Sequence, residues 1–262
     1  MLRNIDIAAA SDLLFEHWRG GRRMAGLPEG LKPATRDEGY AIQARLERRS
    51  VKPLWGWKIA ATSKAGQAHI GVPGPMAGRL LAEQIVEDGS EIALDSNLMR
   101  AAEAEFAFRM ARDLPPRQTP YTAAEAMAAV ESLHPAIEVP DSRFEDFVAA
   151  GEAQLVADDA CAHLFVLGPA APASWRAVDL AKHRATCRIE GGIEREGGGA
   201  NVLGDPRVAL AWLVNELSRQ GATLKAGQVV TTGACVQPLD VKPGDVVRAD
   251  FGALGQVSVR FR

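Results

Sequence analysis

The sequence predicts an α+β protein with a smaller, mainly helical N-terminal region over residues 1–73 and a β-rich domain over 74–262. Three observations predict it. Apolar residues recur at helical spacing in the first third. From about Gly74 short apolar runs broken by Gly, Pro and Asp take over. The composition, 47% hydrophobic and 24% charged over 262 residues, is that of a globular chain with ample material for a buried core.

In order, residues 4–19 bring Ile5, Ala8, Ala9, Leu13 and Trp18 near helical spacing, and Gly20-Gly21 stops the pattern. Thr35-Arg36-Asp37-Glu38 has the form of a capping box and opens a second helix, with Pro53 just past its end. Trp55-Gly56-Trp57-Lys58-Ile59-Ala60 reads as a strand, and Thr62 as the cap of a short helix ending at Gly71. Strands are expected at 102–110, 135–139, 162–167, 185–190, 228–233, 245–251 and 256–261. Helices are expected at about 122–132 and 207–220, the latter opened by Asp205-Pro206 and stopped by Gly221. Gly197-Gly198-Gly199 reads as a flexible loop, and Lys242-Pro243-Gly244-Asp245 as a tight turn.

Charge and cysteine content narrow the functional classes. Thirty Lys+Arg against 33 Asp+Glu leave a net charge of -3, no electrostatic footprint for nucleic acid or an anionic membrane. No apolar run nears the ~18 residues of a membrane span. The start, Met1-Leu2-Arg3-Asn4-Ile5-Asp6, does not read as a signal peptide, and none is expected. Cys161, Cys187 and Cys235 form neither a disulfide framework nor a CxxC site, so a reduced, cytoplasmic protein is expected.

The most informative segment is Ala102-Glu103-Ala104-Glu105-Phe106-Ala107-Phe108. Strand alternation puts Glu103 and Glu105 on one face, roughly 6.6–7 Å apart along the chain. Two buried carboxylates repel each other and are costly to desolvate, and a cation between them removes both penalties. Glu138, at the end of another apolar run, is a third candidate, and carboxylates without a Cys/His cluster favour Mg²⁺ or Mn²⁺ over Zn²⁺. Spacing alone leaves open a solvated strand face with Arg100 and Arg109 as partners.

Lys58, between Trp57 and Ile59, is a candidate for acid–base work with a lowered pKa, or for gripping a substrate carboxylate. The alternative is a lysine that lays its stem on the tryptophans and reaches water. Thr231-Thr232-Gly233 ends an apolar strand where hydroxyls and a bare N–H could meet a ligand. His17, His69, His134, His163 and His183 are scattered, and no GxSxG, P-loop or GxGxxG follows a strand.

In order along the chain stand Asp37-Glu38-Gly39-Tyr40-Ala41-Ile42-Gln43, Gly56-Trp57-Lys58-Ile59, Thr62-Ser63-Lys64, the Glu103–Phe108 segment, and Pro135-Ala136-Ile137-Glu138-Val139 with Asp141-Ser142-Arg143. They are followed by Val156-Ala157-Asp158, Val202-Leu203-Gly204-Asp205-Pro206, Ala211-Trp212-Leu213 and Thr231-Thr232-Gly233. This ordered set resembles the 2-keto-4-pentenoate hydratase / 4-oxalocrotonate decarboxylase branch of the fumarylacetoacetate hydrolase superfamily. The resemblance implies a mixed β-sandwich or roll behind the helical part, and a homo-oligomer associated in some cases with a sister hydratase or decarboxylase. It implies a Mg²⁺ or Mn²⁺ ion on Glu103, Glu105 and Glu138, and a 2-oxo acid chelated through its carboxylate and keto oxygens. Lys58 would anchor the substrate carboxylate or shuttle a proton, with Asp158, Cys161, Thr232 and Gly233 as further substrate contacts. The hydrolases of the superfamily generally carry Asp where this chain has Glu138, which argues against C–C bond hydrolysis.

Two departures bear on the reaction. The hydratases carry a Pro-Asp-aromatic-Gly segment where this chain has Pro75-Met76-Ala77-Gly78, and Met76 cannot move a proton. The Asp-Asn-x-Ser of the family becomes Asp158-Asp159-Ala160-Cys161. The first expectation is hydration of a 2-oxo-4-alkenoate in aromatic-compound catabolism. The alternatives are decarboxylation of a 2-oxo-3-enedioate, favoured by Met76, and a non-catalytic partner subunit, opposed by the intact carboxylates.

Overall fold

The computed structural model describes residues 2–262; Met1 and the side chain of Ile5, both used above, lie outside the described residues. Helices α1 (Asn4–Arg19) and α2 (Arg36–Gln43) precede strand β1 (Gly56–Ala60), and α3 (Lys64–His69) precedes β2 (Met76–Leu80), β3 (Ile85–Glu87), β4 (Glu91–Ile92) and β5 (Ala101–Met110). Next come α4 (Ala123–Met127), β6 (Val130–Val139), α5 (Glu152–Ala157), β7 (Leu164–Leu167), β8 (Arg184–Ile189) and β9 (Glu194–Gly198). The chain closes with α6 (Pro206–Arg219), β10 (Val229–Ala234), β11 (Leu239–Asp240), β12 (Val246–Asp250) and β13 (Gln256–Phe261).

The strands form two sheets. The larger has the order β2-β1-β10-β5-β6-β7-β3, with β11 pairing β5; the smaller runs β4-β13-β12-β8-β9. Strand β5 lies in the larger sheet and alternates between its two faces. Ala104, Phe106 and Phe108 enter the main core, where Phe106 meets Phe251 edge-on at 4.9 Å between ring centres. Glu103, Glu105 and Ala107 take the opposite face, where Ala107 packs with Ala136 and Phe165. The helical region is tied into this scaffold, since β1 pairs parallel with β10 and antiparallel with β2. Helices α1, α2 and α5 share a smaller core of Ala10, Leu14, Ile42, Phe144 and Ala157.

Local chemistry accounts for the helix ends. Thr35 Oγ1 accepts from Glu38 N at 3.2 Å, while the Glu38 carboxylate accepts from Leu2 N and Ala34 N, both at 2.8 Å. Asp205 caps α6 by accepting from Arg207 N at 2.8 Å, with Pro206 in the first turn as expected.

Four expectations need correction. The helix read over 122–132 ends at Met127, because Val130–Leu133 extend β6 and pair with β5, so the ladder outweighs the local helical pattern. The short helix after β1 is capped by Ser63, whose Oγ accepts from Gly66 N at 3.0 Å, leaving the Thr62 side chain free for another role. Gly197 and Gly198 are not a flexible loop but the end of β9. A Cβ at Gly197 would fall 2.1 Å from Cys235 O, and one at Gly199 would fall 1.9 Å from Leu180 O, so these glycines permit close backbone approach. Strands β2, β3, β4, β9 and β11 were not among those read from the pattern.

Candidate metal centre and cleft

The register of β5 and β6 sets Glu103 directly opposite Glu138, and Glu105 opposite Ala136. Because Glu105 is two residues from Glu103 on the same face, the three carboxylates converge: one oxygen from each lies within 4.8 Å of the other two. Glu105 and Glu138 are wholly buried, and Glu103 opens onto a cleft of about 630 Å³.

Glu105 is held by the end of β10. Thr231 Oγ1 donates to Glu105 Oε2, and Gly233 N donates to the same oxygen at 2.7 Å. Gly233 has φ of 99°, and a Cβ there would lie 2.0 Å from Thr62 Oγ1, so both conformation and space require glycine. Glu105 Oε1 and Glu138 Oε2 remain buried without a hydrogen-bond donor. Burial raises the pKa of Glu105 well above the ordinary carboxylate value, and Glu138 and Glu103 add to the effect. Burial and then Glu138 push Glu103 up to about 7, against the pull of Lys58. The two unpartnered oxygens and the mutual repulsion fit a cation held between the three carboxylates.

Lys58 Nζ stands 2.9 Å from Glu138 Oε1 as an ion pair and donates a hydrogen bond of 2.9 Å to Ala160 O. Its stem packs on Gly78, where a Cβ would approach Lys58 Cδ to 2.8 Å. Trp57 points to the other face of β1 and hydrogen-bonds Gln228. The expected lowering of the Lys58 pKa is therefore corrected. Burial does push it down, but Glu138 and Glu103 outweigh burial and hold the ammonium above its usual value. Nor does the side chain snorkel to water, being 3% exposed.

The remaining candidates divide. Cys161 lines the cleft beside Lys58, its thiol pushed up to about 12 by burial and then by Asp158, so it stands there as a neutral group. Asp158 lies away from the cleft: it ion-pairs with Arg143 and accepts from Ser142 Oγ at 2.7 Å. Thr232 Oγ1 also turns away and donates to Phe106 O at 2.9 Å. Gly233 touches Glu105 rather than the cleft wall.

Several contributors escaped the sequence reading. Thr62 lines the cleft and packs against Gly233. The Ala160 carbonyl reaches Lys58 because Asp159, Ala160 and Cys161 all take positive φ, at 55°, 50° and 62°. Three consecutive left-handed residues without glycine give no sequence signal. Met76, read as the missing acid, is buried in β2 and lines the cleft.

Known proteins resemble this chain over nearly its whole length. A 2-keto-4-pentenoate hydratase of Dechloromonas aromatica (strain RCB) is 36% identical over 256 residues, which span 97% of this chain and 96% of the relative. A 2-oxo-hept-4-ene-1,7-dioate hydratase of Escherichia coli is 32% identical across 87% of both chains. The solved 4-oxalocrotonate decarboxylase of Pseudomonas putida G7, complexed with magnesium and adipate, matches all of this chain and 99% of its own with a TM-score of 0.91 at 27% identity. With residues 65–262 matching the fumarylacetoacetate (FAA) hydrolase C-terminal family, the chain belongs to the fumarylacetoacetate hydrolase superfamily, within its hydratase and decarboxylase branch.

Proposed function

We propose that this protein is a divalent-metal-dependent hydro-lyase that adds water to a 2-oxo-4-alkenoate such as 2-oxopent-4-enoate, giving a 4-hydroxy-2-oxo acid. The observation that carries the reading is the convergence of Glu103, Glu105 and Glu138 beside the Lys58 ammonium at a cleft. Three carboxylates against one ammonium leave two negative charges in excess, the charge a divalent cation cancels. The all-oxygen donor set suits Mg²⁺ or Mn²⁺. A bound ion supplies a Lewis acid for the carboxylate and keto oxygens of a 2-oxo acid.

The chain's own residues do the rest. Thr231 and Gly233 fix Glu105 so that its second oxygen stays available. Lys58 works as a cation: paired with Glu138 and held in its charged form, it attracts the substrate carboxylate while water adds its hydroxyl at C4 and a proton at C5. Cys161 offers a neutral wall and no nucleophile. With this reading go a homo-oligomer, association with a sister hydratase or decarboxylase, a cytoplasmic location and a place in aromatic-compound catabolism. No helix among the described residues is long and apolar enough to cross a membrane.

Met76 supports a second reading. It places a thioether in the cleft where the hydratase motif has an acid, as expected of a decarboxylase of a 2-oxo-3-enedioate. Incubation of each substrate with Mg²⁺ separates the two by release of a 4-hydroxy-2-oxo acid or of CO₂. Glu105→Gln tests the shared centre. It is expected to abolish Mg²⁺ binding by calorimetry and turnover while circular dichroism stays unchanged; full activity in chelator overturns the assignment.

A further inference from the structure

We infer that the cleft selects 2-oxo acids with an apolar tail and rejects those carrying a second carboxylate at the far end. The inference rests on the 2-oxo acid reading above and names the substrate class within it.

At about 630 Å³ the cleft lies in the range of pockets for drug-sized ligands, far more than a five-carbon acid fills. Its direction follows from the strands. Glu103 and Ala101 share a face of β5, so Ala101 lies one two-residue step, about 7 Å, further out. Ala101 pairs with Asp240 on β11, and both line the cleft. The outer part therefore carries a negative charge where the far end of an extended substrate would arrive. Ile70, Met99, Phe147, Val236 and Pro238 supply apolar wall.

Positive charge is scarce. Among the described lining residues, Lys58 and His69 alone can carry it. Lys58 is engaged by Glu138 and Ala160 O at the inner end, and the His69 ring stands edge-on to Phe147 at 6.5 Å between centres. A distal carboxylate would face the like charge of Asp240, with no cation of its own among the described lining residues. An alkyl or aryl tail would instead replace water on the apolar wall. A 2-oxo-3-enedioate is thus the poorer ligand, which favours hydration of a monoacid over the decarboxylase reading.

The test is calorimetric titration of the Mg²⁺-loaded protein. The ligands are unreactive: 2-oxobutanoate, 2-oxohexanoate, 2-oxooctanoate and 2-oxohexanedioate. Affinity is expected to rise roughly two- to fourfold per added methylene, and the diacid to bind about tenfold more weakly than 2-oxohexanoate. Asp240→Lys, at an exposed position, is expected to close that gap. Phe147→Ser is expected to flatten the chain-length gain. A diacid that binds as tightly as the monoacid, or affinity independent of chain length, overturns the inference while 2-oxobutanoate binding keeps the 2-oxo acid reading intact. If 2-oxobutanoate itself fails to bind, both fall together.

Discussion

At the scale of single residues, the centre is a balance between like charges and one cation. Lys58 is the counterweight, and it is shared between Glu138 and the backbone of Ala160. Lys58→Met keeps the stem and removes the charge. We expect kcat/KM to fall at least 100-fold, about 3 kcal/mol of transition-state stabilisation. Mg²⁺ affinity measured by calorimetry is expected to stay level or tighten, because a competing positive charge is gone. Weaker metal binding in this variant would mean that Lys58 organises the carboxylates rather than the substrate. The three glutamates were legible because strand alternation and burial are local properties. Their convergence was expected only through the family resemblance, since it depends on the β5–β6 register, which no local pattern carries. Asp158 shows the same limit: its partner, Arg143, is adjacent only in space, and a carboxylate in sequence carries no mark of whether a guanidinium waits for it.

At the scale of elements, α1 is fastened by a titratable bond. Trp18 Nε1 donates to His163 Nδ1 at 3.0 Å, which requires that nitrogen to be unprotonated. Burial, opposed by Asp141 and reinforced by Arg143 and Arg23, holds His163 down to about 4. Above about pH 6.5 folded and unfolded chains both carry a neutral ring and the bond contributes fully. As pH falls from about 6.5 to about 4 the unfolded chain gains a proton that the folded one refuses, so up to about 3 kcal/mol of stability is lost. Urea unfolding at pH 7 and pH 4.5 is expected to show this decline, and His163→Asn, which keeps an acceptor near the Nδ1 position, is expected to flatten it. An unchanged slope would assign the acid sensitivity elsewhere. The long strands and α6 were legible because periodicity and capping residues mark them. Strands β2, β3, β4, β9 and β11 were hidden by shortness or by glycine, as in the Gly197-Gly198 end of β9, where the signal for a loop and for close backbone contact is the same residue.

At the scale of the whole molecule, helical region and sheets share one scaffold through β1, which lies between β2 and β10. Unfolding is therefore expected to be a single thermal transition. Mg²⁺ at 100 times its Kd is expected to add about 2.7 kcal/mol, raising Tm by several degrees, and chelator to reverse the shift. Two separate transitions, or a Tm indifferent to Mg²⁺ and Mn²⁺, would count against this coupling. The broad α+β character was readable from composition and pattern, and the superfamily from the ordered motifs. The parallel pairing of β1 with β10 was not, because no local signal announces a contact between strands so far apart.

That distance has a cost during biosynthesis. The hydroxyl and amide that secure Glu105 come from Thr231 and Gly233, 126 and 128 residues after it. While the ribosome is still short of β10, the nascent chain carries three closely spaced acids in unfinished sheet, with the β5 edge exposed to pairing with a neighbour. The centre is therefore expected to close only after β10 has emerged, and a chain ended before Thr231 is expected to bind no Mg²⁺ by calorimetry.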